Sequence, residues 1–451
     1  MISSDIRQEF RESLRKIALP VTLQSILFVS LNFIDTLMVG KLGKVPFSAV
    51  GLGGQYYFLA NLSIVGVVSA MQIYMAQYWG EENVKGYRQV TGLSVLSSLV
   101  VSLLFALPAF FATEFILSLF SKDRALIEQG IPYLRLIAFQ IPLTAGVLSF
   151  ASASRASKNA KLPLRVSMVS LCTNTLLNYF LIFGKFGFPK LGVRGAAIAT
   201  VLSAFLSLCQ YLLYILKPEN PLHANPKEFL SFGGDLALKV FRTGWPVFLH
   251  EVFWSLGMSL YVIIFSRTNT DVYASYQIAN QLMRITYIST MGISSAASIT
   301  IGNQLGAKNI DKALLFEKAY SKTLLLTSSS AALLMIGIAY FAVNWFNVSQ
   351  EIRQNAFAMI IVIAFFLPPR MYNAMESAGI LRAGGDTGYP VFLELSGIYL
   401  INLPLAFVGL RLLDIPYPAV VALSSLGDVC ILGLMYRRVK SKVWAKNLIS
   451  E

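Results

Sequence analysis

The sequence predicts an all-α polytopic membrane protein, and its composition and hydropathy support that prediction. Hydrophobic residues make up 55% of the 451 residues, charged residues make up only 13%, and the mean hydropathy is +0.62. Soluble proteins usually carry about 25% charged residues, so this chain has too few charges to cover water-facing domains. The same composition excludes an intrinsically disordered chain, which needs low hydrophobicity.

Twelve stretches of the chain are long and apolar enough to cross a bilayer, which takes about 20 residues of helix. Because backbone polar groups in lipid must be satisfied within the segment, each stretch is predicted to be a transmembrane helix. A membrane β-barrel would instead show alternating segments of about ten residues. The predicted spans are 14–39, 49–78, 92–119, 131–154, 164–184, 193–216, 241–266, 274–303, 321–346, 355–381, 389–411 and 416–436.

A long loop divides the twelve spans into two sets of six. It lies between Lys217 and Lys239 and is rich in proline and glycine, which is typical of a connection between domains. We therefore predict two pseudo-symmetric six-helix bundles. The N-terminal bundle covers 1–216, a cytoplasmic linker covers 217–240, and the C-terminal bundle covers 241–451.

An internal repeat supports two halves of similar design. A constant shift in residue number takes Leu19–Val21 to Trp245–Val247, and a shift larger by one later pairs Arg155 with Arg382. Six spans per half leave both halves in the same orientation, so their pseudo-axis should follow the membrane normal. In transporters built this way the substrate site lies near the middle of the membrane and opens to each side in turn.

The net charge of +14 is explained by the predicted membrane topology of the chain. With the N-terminus inside, the predicted cytoplasmic segments hold more than twice as many lysines and arginines as the segments on the opposite side. This is the bias that the positive-inside rule describes. Both termini are therefore predicted to be cytoplasmic, and the basic charge gives no reason to expect a nucleic-acid partner.

The sequence contains no motif for an enzyme or for ATP hydrolysis. It has no Gly-x-x-x-x-Gly-Lys-[Ser/Thr] loop, no His/Glu zinc pattern and no serine elbow, so we expect no catalytic residue, no metal site and no cofactor. The three cysteines, Cys172, Cys209 and Cys430, lie inside predicted spans and are interpreted as small packing residues. An integral-membrane enzyme is therefore a poor alternative to a transporter.

Asp35 is the most informative polar residue of the spans. An ionisable group at the bilayer centre costs about 2.5–3.5 kcal/mol to insert, so its presence there indicates a function. Burial in a low-dielectric site favours the neutral form of a carboxyl group, which suits uptake of a proton. The alternative is a carboxylate exposed to water at the outer mouth of the first span.

Two amides in the fifth span could belong to the same site. Asn174 and Asn178 are four residues apart and share one helix face, where they could hold a cation, a water chain or the neutral form of Asp35. They could equally be interhelical hydrogen-bonding residues without a role in transport. Thr200, in the sixth span, lies in the row of small residues Gly195–Thr200, which first indicates close helix packing.

The second half has no aspartate equivalent to Asp35. We predict a possible second-half site from ionisable residues of its spans: His250, Glu251, Arg284 and Arg370. Glu251 could be a second protonation site, or its charge could belong to a structural ion pair with one of the other three. Glu376 and Glu394 lie in later spans, and Asp428 is interpreted as a helix-end residue.

Pro20 stands fifteen residues before Asp35 in the first span. Proline removes a backbone hydrogen bond and kinks a helix. We predict that the first helix bends near Pro20 when Asp35 changes its protonation state. The alternative is a fixed kink that only shapes the cleft.

These residues resemble the multidrug and toxic compound extrusion (MATE) family over essentially the whole chain. The matching segments are Ala18–Pro20, Ile34–Gly43, Ala49–Leu52, Gly195–Thr200 and Gly379–Thr387. The acidic residue of the first span, together with Asn174, looks like the DinF-like branch of that family.

The resemblance implies a secondary active antiporter that expels lipophilic or cationic small molecules by alternating access. It implies a cation- and proton-coupling site of Asp35, Asn174, Asn178 and Thr200, with Asp35 as the coupling carboxylate. Branch members often carry aspartate where this chain has Asn178. Because the loss of a carboxylate weakens a sodium site, a proton gradient is the expected driving force, with Na⁺ as the alternative.

The resemblance also implies an integral protein of the bacterial inner membrane, with the lipid bilayer as its surroundings and a role in antibiotic resistance, and we expect a monomer. A lipid-linked saccharide flippase of related architecture is the nearest alternative, and it should line its cavity with more cationic side chains. Within the predicted spans, Arg135, Arg284 and Arg370 are the candidates for such a lining. A channel or a membrane receptor is a second alternative.

Overall fold

The computed structural model describes residues 4–266, 270–345, 348–413 and 415–450, and within these ranges the chain forms helices and no strand. Twelve long helices follow one another along the chain. They are α1 (Ile6–Gly40), α2 (Lys44–Gly80), α3 (Val84–Phe111), α4 (Arg124–Ala156), α5 (Lys161–Phe183), α6 (Val193–Ile215), α7 (Gly234–Ser266), α8 (Thr270–Gly306), α9 (Ile310–Asn344), α10 (Gln350–Gly384), α11 (Gly388–Arg411) and α12 (Tyr417–Lys440).

The long helices coincide with the predicted spans. By length and composition, eleven helices of the described ranges could cross a membrane. The remaining one, α8, has 37 residues, a length of about 55 Å, but Gln277, Gln281 and Arg284 make it more polar than the others. The prediction of an all-α chain with twelve helices of membrane-spanning length is confirmed.

Several helices extend beyond the apolar stretch that predicts them. α7 begins at Gly234 rather than at 241, and α9 begins at Ile310 rather than at 321. The predicted span 92–119 is wrong at its end, because α3 stops at Phe111 and a short helix, Thr113–Phe120, follows it. Between them Ala112 has a φ of −119° and donates its N–H to the Pro108 carbonyl oxygen at 2.8 Å.

The helices form two compact units. The N-terminal unit is Leu23–Gly244, and the C-terminal unit is Met1–Thr22 together with Trp245–Glu451. The chain therefore passes from one unit to the other inside α1, shortly after Pro20, and inside α7, just before Pro246. The domain ranges predicted from the sequence stay a prediction.

The segment between α6 and α7 packs against α3. Arg88 of α3 donates to the carbonyl oxygens of Pro221 and His223, both at 2.7 Å, and pairs with Glu228 at 2.9 Å. Glu228 belongs to a short helix, Pro226–Phe229. The proline-rich connection thus has a defined place on the N-terminal unit.

The sequence repeat recurs in the backbone of each half. α2 and α8 each have 37 residues, and their first residues are related by the constant shift of the repeat. The turn after α2 contains Glu82 with a φ of 62°, and the turn after α8 contains Lys308 with a φ of 61°. Lys158 and Gly385, which the larger shift relates, have φ values of 62° and 80°. Since a positive φ is uncommon outside glycine, these matched positions show the same turns in both halves.

In the described part of the chain, three long helices contain a π turn, in which an N–H bonds to the carbonyl five residues earlier. These turns are Leu14–Ala18 in α1, Glu376–Leu381 in α10 and Gly397–Asn402 in α11. A π turn inserts an extra residue into a helix. The first residues of α4 and α10 are still related by the smaller shift, whereas the turns after them match only at the larger one. The π turn of α10 therefore explains the change in the register of the repeat.

The interior of the N-terminal unit is built from apolar faces of α2, α3 and α4. Ile64, Leu134 and Ile141 are fully buried in one cluster. The cysteines do not contribute to such packing as predicted: Cys172 and Cys430 are exposed on their helices. The packing interpretation is therefore wrong for these two.

Candidate functional site

The structure brings together the four residues predicted for the first site. Asn178 donates from Nδ2 to the Asp35 carboxylate at 2.5 Å and to the Asn174 carbonyl oxygen at 2.9 Å. Asn174 donates in turn to the Thr200 hydroxyl over 3.4 Å. One hydrogen-bonded chain therefore joins α1, α5 and α6, and we call these four residues the Asp35 site.

The helices fix the side chains of the Asp35 site. Asn174 and Asn178 are each 1% exposed, because their spacing of four residues puts both on the face of α5 that is turned inward. Asp35 is half-buried on α1. On α6 the Thr200 hydroxyl donates to the Ala196 carbonyl oxygen at 2.9 Å, which holds its lone pairs toward Asn174.

Apolar packing bounds the Asp35 site on one side. Val39, Ile182 and Ala196 form a buried cluster, and each lies one helical turn from a polar member of the site. α5 and α6 approach closely here, because a Cβ at Gly195 would lie 2.5 Å from the Leu181 carbonyl oxygen. The close packing predicted from the row of small residues is confirmed.

One polar atom of the Asp35 site has no partner. The Asn178 carbonyl oxygen Oδ1 is buried without a hydrogen bond, which costs about 1–3 kcal/mol. Asp35, Asn174, Asn178 and Thr200 together offer carboxylate, amide and hydroxyl oxygens, which are ligands that a hard cation takes. The arrangement can therefore bind either a proton or a small cation.

The sequence did not indicate Tyr133, which lies near Asp35, or Tyr57, which lies near Tyr133. Tyr133 of α4 lies within electrostatic reach of Asp35 and of Tyr57 of α2, and the Tyr57 hydroxyl is hydrogen-bonded to Thr144 at 3.1 Å. A Cβ at Gly53 would come within 2.7 Å of the Tyr133 ring, so this glycine makes room for it. Aromatic residues are common in apolar spans, and no spacing in the sequence singles these two out.

The helix backbone is irregular just before Pro20. The π turn Leu14–Ala18 precedes it, and the Leu19 N–H bonds to the Leu14 carbonyl oxygen. α-Helix then continues through Leu19–Gly40. The irregularity agrees with the effect of proline on a helix, and bending with protonation stays a prediction.

A second group of ionisable side chains lies in the C-terminal unit, where His250 and Glu251 meet two residues that the sequence did not assign to the site. His250 Nε2 is hydrogen-bonded to the Glu394 carboxylate, and His250 Nδ1 lies 3.0 Å from an Arg382 nitrogen. Arg382 also pairs with Glu251 at 3.6 Å. His250 is 8% exposed and Arg382 6%. We call these four residues the His250 cluster.

The other residues of the predicted second-half site do not join the His250 cluster. Arg370 instead pairs with Asp428 at 2.7 Å, and Arg284 is exposed on α8. Asp428 lies inside α12, in the first turn of its second segment, Leu426–Lys440, which follows a break at Ser424 and Ser425. Glu376 is a separate, fully buried carboxyl group in the π turn of α10, where it accepts a hydrogen bond from Ser321 at 2.7 Å.

Comparison with known proteins identifies the family. A family model described as MatE matches residues 20–180 and 246–408. The chain belongs to the MatE family. The shift of the sequence repeat also relates the starts of the two matched ranges, so one model matches both halves of the repeat. This MatE member is an integral membrane protein and a transporter rather than an enzyme, as the sequence predicts.

Relatives and solved structures agree with this membership. The multidrug resistance protein NorM of Vibrio cholerae is 24% identical over 386 residues, which are 84% of this chain and 81% of NorM. The crystal structure of the Vibrio cholerae MATE transporter VcmN in the bent form matches with a TM-score of 0.88 at 16% identity, over 99% of each chain. A crystal structure of MATE in the straight conformation matches with a TM-score of 0.85 at 18% identity, over 97% of each chain. The predicted fold, two pseudo-symmetric bundles of six helices, is confirmed.

Proposed function

We propose that this MatE member is a multidrug exporter that exchanges lipophilic or cationic small molecules for protons by alternating access. The observation that carries the proposal is the contact between Asp35 and the neutral amide of Asn178 at 2.5 Å. A carboxyl group held by a neutral partner can gain or lose a proton without breaking an ion pair. The relative named as a multidrug resistance protein supports the class of substrate.

In this mechanism the charge of Asp35 links the proton to the substrate. When Asp35 is ionised, the site carries a negative charge that favours a lipophilic cation. A proton from outside neutralises the carboxylate, the attraction for the cation is lost, and the substrate leaves outward. Loss of the proton to the cytoplasm then restores the ionised state.

The amides of α5 can satisfy both forms of Asp35. In the ionised form the carboxylate accepts the Asn178 N–H. A protonated carboxyl group needs an acceptor, and the unpartnered Asn178 Oδ1 becomes one when the amide turns over, because its nitrogen and oxygen exchange places. The exchange satisfies the proton of Asp35, but it breaks the Asn178 N–H bond to the Asn174 carbonyl oxygen and turns the amide nitrogen to the place where Oδ1 has no partner.

We propose that α1 bends at Pro20 when this exchange takes place. The π turn Leu14–Ala18 already interrupts the regular helix there, and π turns and prolines are where helices kink. The border between the two units follows at Thr22. A bend at this point would move the part of α1 that carries Asp35.

We propose protons rather than sodium as the coupling ion, because the Asp35 site contains one carboxylate. One proton neutralises it, whereas a sodium ion must also replace its water shell with protein oxygens. The saccharide flippase has less support, since Asp428 neutralises Arg370, one of the three arginines that could line its cavity.

We also propose that the protein belongs to the DinF-like branch and works as a monomer in the bacterial inner membrane with both termini cytoplasmic. The branch assignment rests on Asp35 and Asn174, and the topology rests on the distribution of lysine and arginine. Protease cleavage of a terminal tag in oriented vesicles would test the topology.

Transport in proteoliposomes tests the function. With a pH gradient and no sodium, we expect export of the lipophilic cation ethidium by the wild type. In the Asp35→Asn variant, ethidium export should fall at least about tenfold. This corresponds to about 1.4 kcal/mol of coupling free energy. Asp311→Asn, an exposed position at the start of α9, is the matched control and should export normally.

Sodium without a pH gradient is the second arm of the experiment, and it should not drive export. The proposed coupling residue is wrong if Asp35→Asn exports as well as the wild type under a pH gradient. A passive channel is excluded by accumulation of ethidium against its own gradient.

A further inference from the structure

His250 contacts three charged side chains that the exchange at Asp35 does not use. Its Nε2 is bonded to Glu394 of α11, and its Nδ1 lies 3.0 Å from Arg382 of α10 and 3.5 Å from Glu251 of α7. On α8, Tyr287 is within electrostatic reach of the three charged residues. It is a phenol without charge at physiological pH. These are the titratable and charged groups around the imidazole.

The contacts of His250 define which ring nitrogen carries the proton. A guanidinium group only donates hydrogen bonds, so the Nδ1 atom that faces Arg382 must be the acceptor. The proton of the neutral ring is then on Nε2, from which it is donated to Glu394. In this state the His250 cluster has two negative charges and one positive charge.

A proton on Nδ1 changes this arrangement. The imidazolium can no longer accept from Arg382, and the two cations at 3.0 Å repel each other. Glu251 can accept the new Nδ1–H hydrogen bond, because its carboxylate lies 3.5 Å from Nδ1 and 3.6 Å from Arg382. One added proton also brings the cluster to zero net charge, and a buried group is stabler when its charges balance.

We infer that the C-terminal half has a proton-binding site of its own at His250, which takes one proton on Nδ1 and exchanges its hydrogen bond to Arg382 for one to Glu251. Arg382 directly follows the π turn Glu376–Leu381 of α10. Binding of the proton therefore acts on an irregular segment of that helix. The site lies in the unit that does not contain Asp35, so it goes beyond the proposed exchange.

The chain has only two histidines, which makes this inference directly testable. The other, His223, is exposed between α6 and α7, and His223→Gln leaves His250 as the sole imidazole. We expect the ¹⁵N spectrum of histidine-labelled, full-length His223→Gln protein in nanodiscs to show the Nε2–H tautomer at high pH. Both ring nitrogens should become protonated as the pH falls from about 9 to 5.

Three spectra would overturn the inference: an Nδ1–H tautomer at high pH, a neutral ring over the whole range, or an imidazolium over the whole range. The titration is then repeated with Asp35→Asn added. His250 should titrate unchanged in that variant, while export is lost. The proton site at His250 and the proposed coupling at Asp35 can therefore fail independently.

Proton counting gives a second readout. His250→Gln keeps a donor for Glu394 and an acceptor for Arg382, but it cannot be charged. Between about pH 9 and 5, purified His223→Gln protein should take up about one proton per molecule more than His223→Gln/His250→Gln protein. Equal uptake by the two proteins would overturn the inference.

Discussion

Under the proposed exchange, Asn178 is the residue that should decide between protons and sodium at the Asp35 site. Its N–H groups satisfy an Asp35 oxygen and the Asn174 carbonyl oxygen, so the site holds a single negative charge. If a carboxylate replaced the Asn178 amide, the site would hold two negative charges. We therefore expect the ion specificity of the proposed exchange to depend on one side chain of α5.

Asn178→Asp should make export respond to sodium. The new carboxylate would lie beside Asp35, and two carboxylates at such a distance cannot both be ionised unless a cation lies between them. We expect a sodium gradient at equal pH to raise ethidium export about tenfold over the wild type, which corresponds to about 1.4 kcal/mol of cation binding.

Asn174→Asp is the control for this substitution, because Asn174 lies one helical turn before Asn178 in α5 and its side chain bonds to Asn178 rather than to Asp35. It should give a weaker response to sodium. If Asn178→Asp remains insensitive to sodium, the assignment of ion choice to Asn178 is wrong.

The two groups of ionisable residues differ in how far the sequence predicts them. The Asp35 site follows from a lone carboxylate and from two amides with helical spacing, and both signals are local. Arg382 and Glu394 carry no such signal, because they meet His250 across 132 and 144 residues of chain. Only the packing of three helices brings them together.

At the scale of helices, the contact of α5 with α6 supports the Asp35 site. Gly195 allows the α6 backbone to approach the Leu181 carbonyl of α5, and this approach brings Thr200 within reach of Asn174. The atom that a Cβ would meet belongs to the backbone, which cannot rotate away. The glycine is therefore required by packing.

Gly195→Ala should destabilise the protein by about 1–3 kcal/mol, which is the usual cost of overpacking. Thermal unfolding in detergent would show this as a lower Tm. The matched control is Gly337→Ala in α9, where a Cβ would meet nothing within 4 Å. Alanine there should raise the Tm slightly, because it favours helix by up to about 1 kcal/mol over glycine. Equal Tm changes in the two variants would contradict the packing argument.

Apolar stretches predict that helices exist but not how they end or where they deform. Polar residues extend α7 and α9 beyond the stretches that identify them, since helix continues into the water-facing region. In the sequence, the only sign of the π turn in α10 is that the shift between the two halves increases by one residue. The sequence does not show that a π turn causes this increase.

At the scale of the whole molecule, the two prolines of the repeat stand where the chain changes units. Pro20 precedes the border at Thr22, and Pro246 follows the border at Gly244. The halves differ in what accompanies the proline. α1 has a π turn before Pro20 and Asp35 after it, whereas in α7 the position equivalent to Asp35 is Tyr261.

This difference predicts that protonation bends α1 and leaves α7 unchanged. Leu37 lies about 25 Å beyond Pro20 along the helix, so a bend of about 20° would move it by about 9 Å. Spin labels at Leu37 and Leu104, both exposed within the N-terminal unit, can measure this movement after the three cysteines are replaced by serine. We expect the label distance to change by several ångströms between about pH 8 and 6, because the proposed exchange requires Asp35 to gain and lose its proton near the working pH.

The repeat supplies the control pair for this measurement. Ile263 lies as far beyond Pro246 as Leu37 lies beyond Pro20 and, like Leu333, it is exposed in the C-terminal unit. The distance between labels at Ile263 and Leu333 should stay constant over the same pH range, and Asp35→Asn should abolish the change at Leu37. Two results would mean that Pro20 does not couple the charge of Asp35 to the shape of α1. One is an unchanged distance between the labels at Leu37 and Leu104, and the other is an equal change between the labels at Ile263 and Leu333.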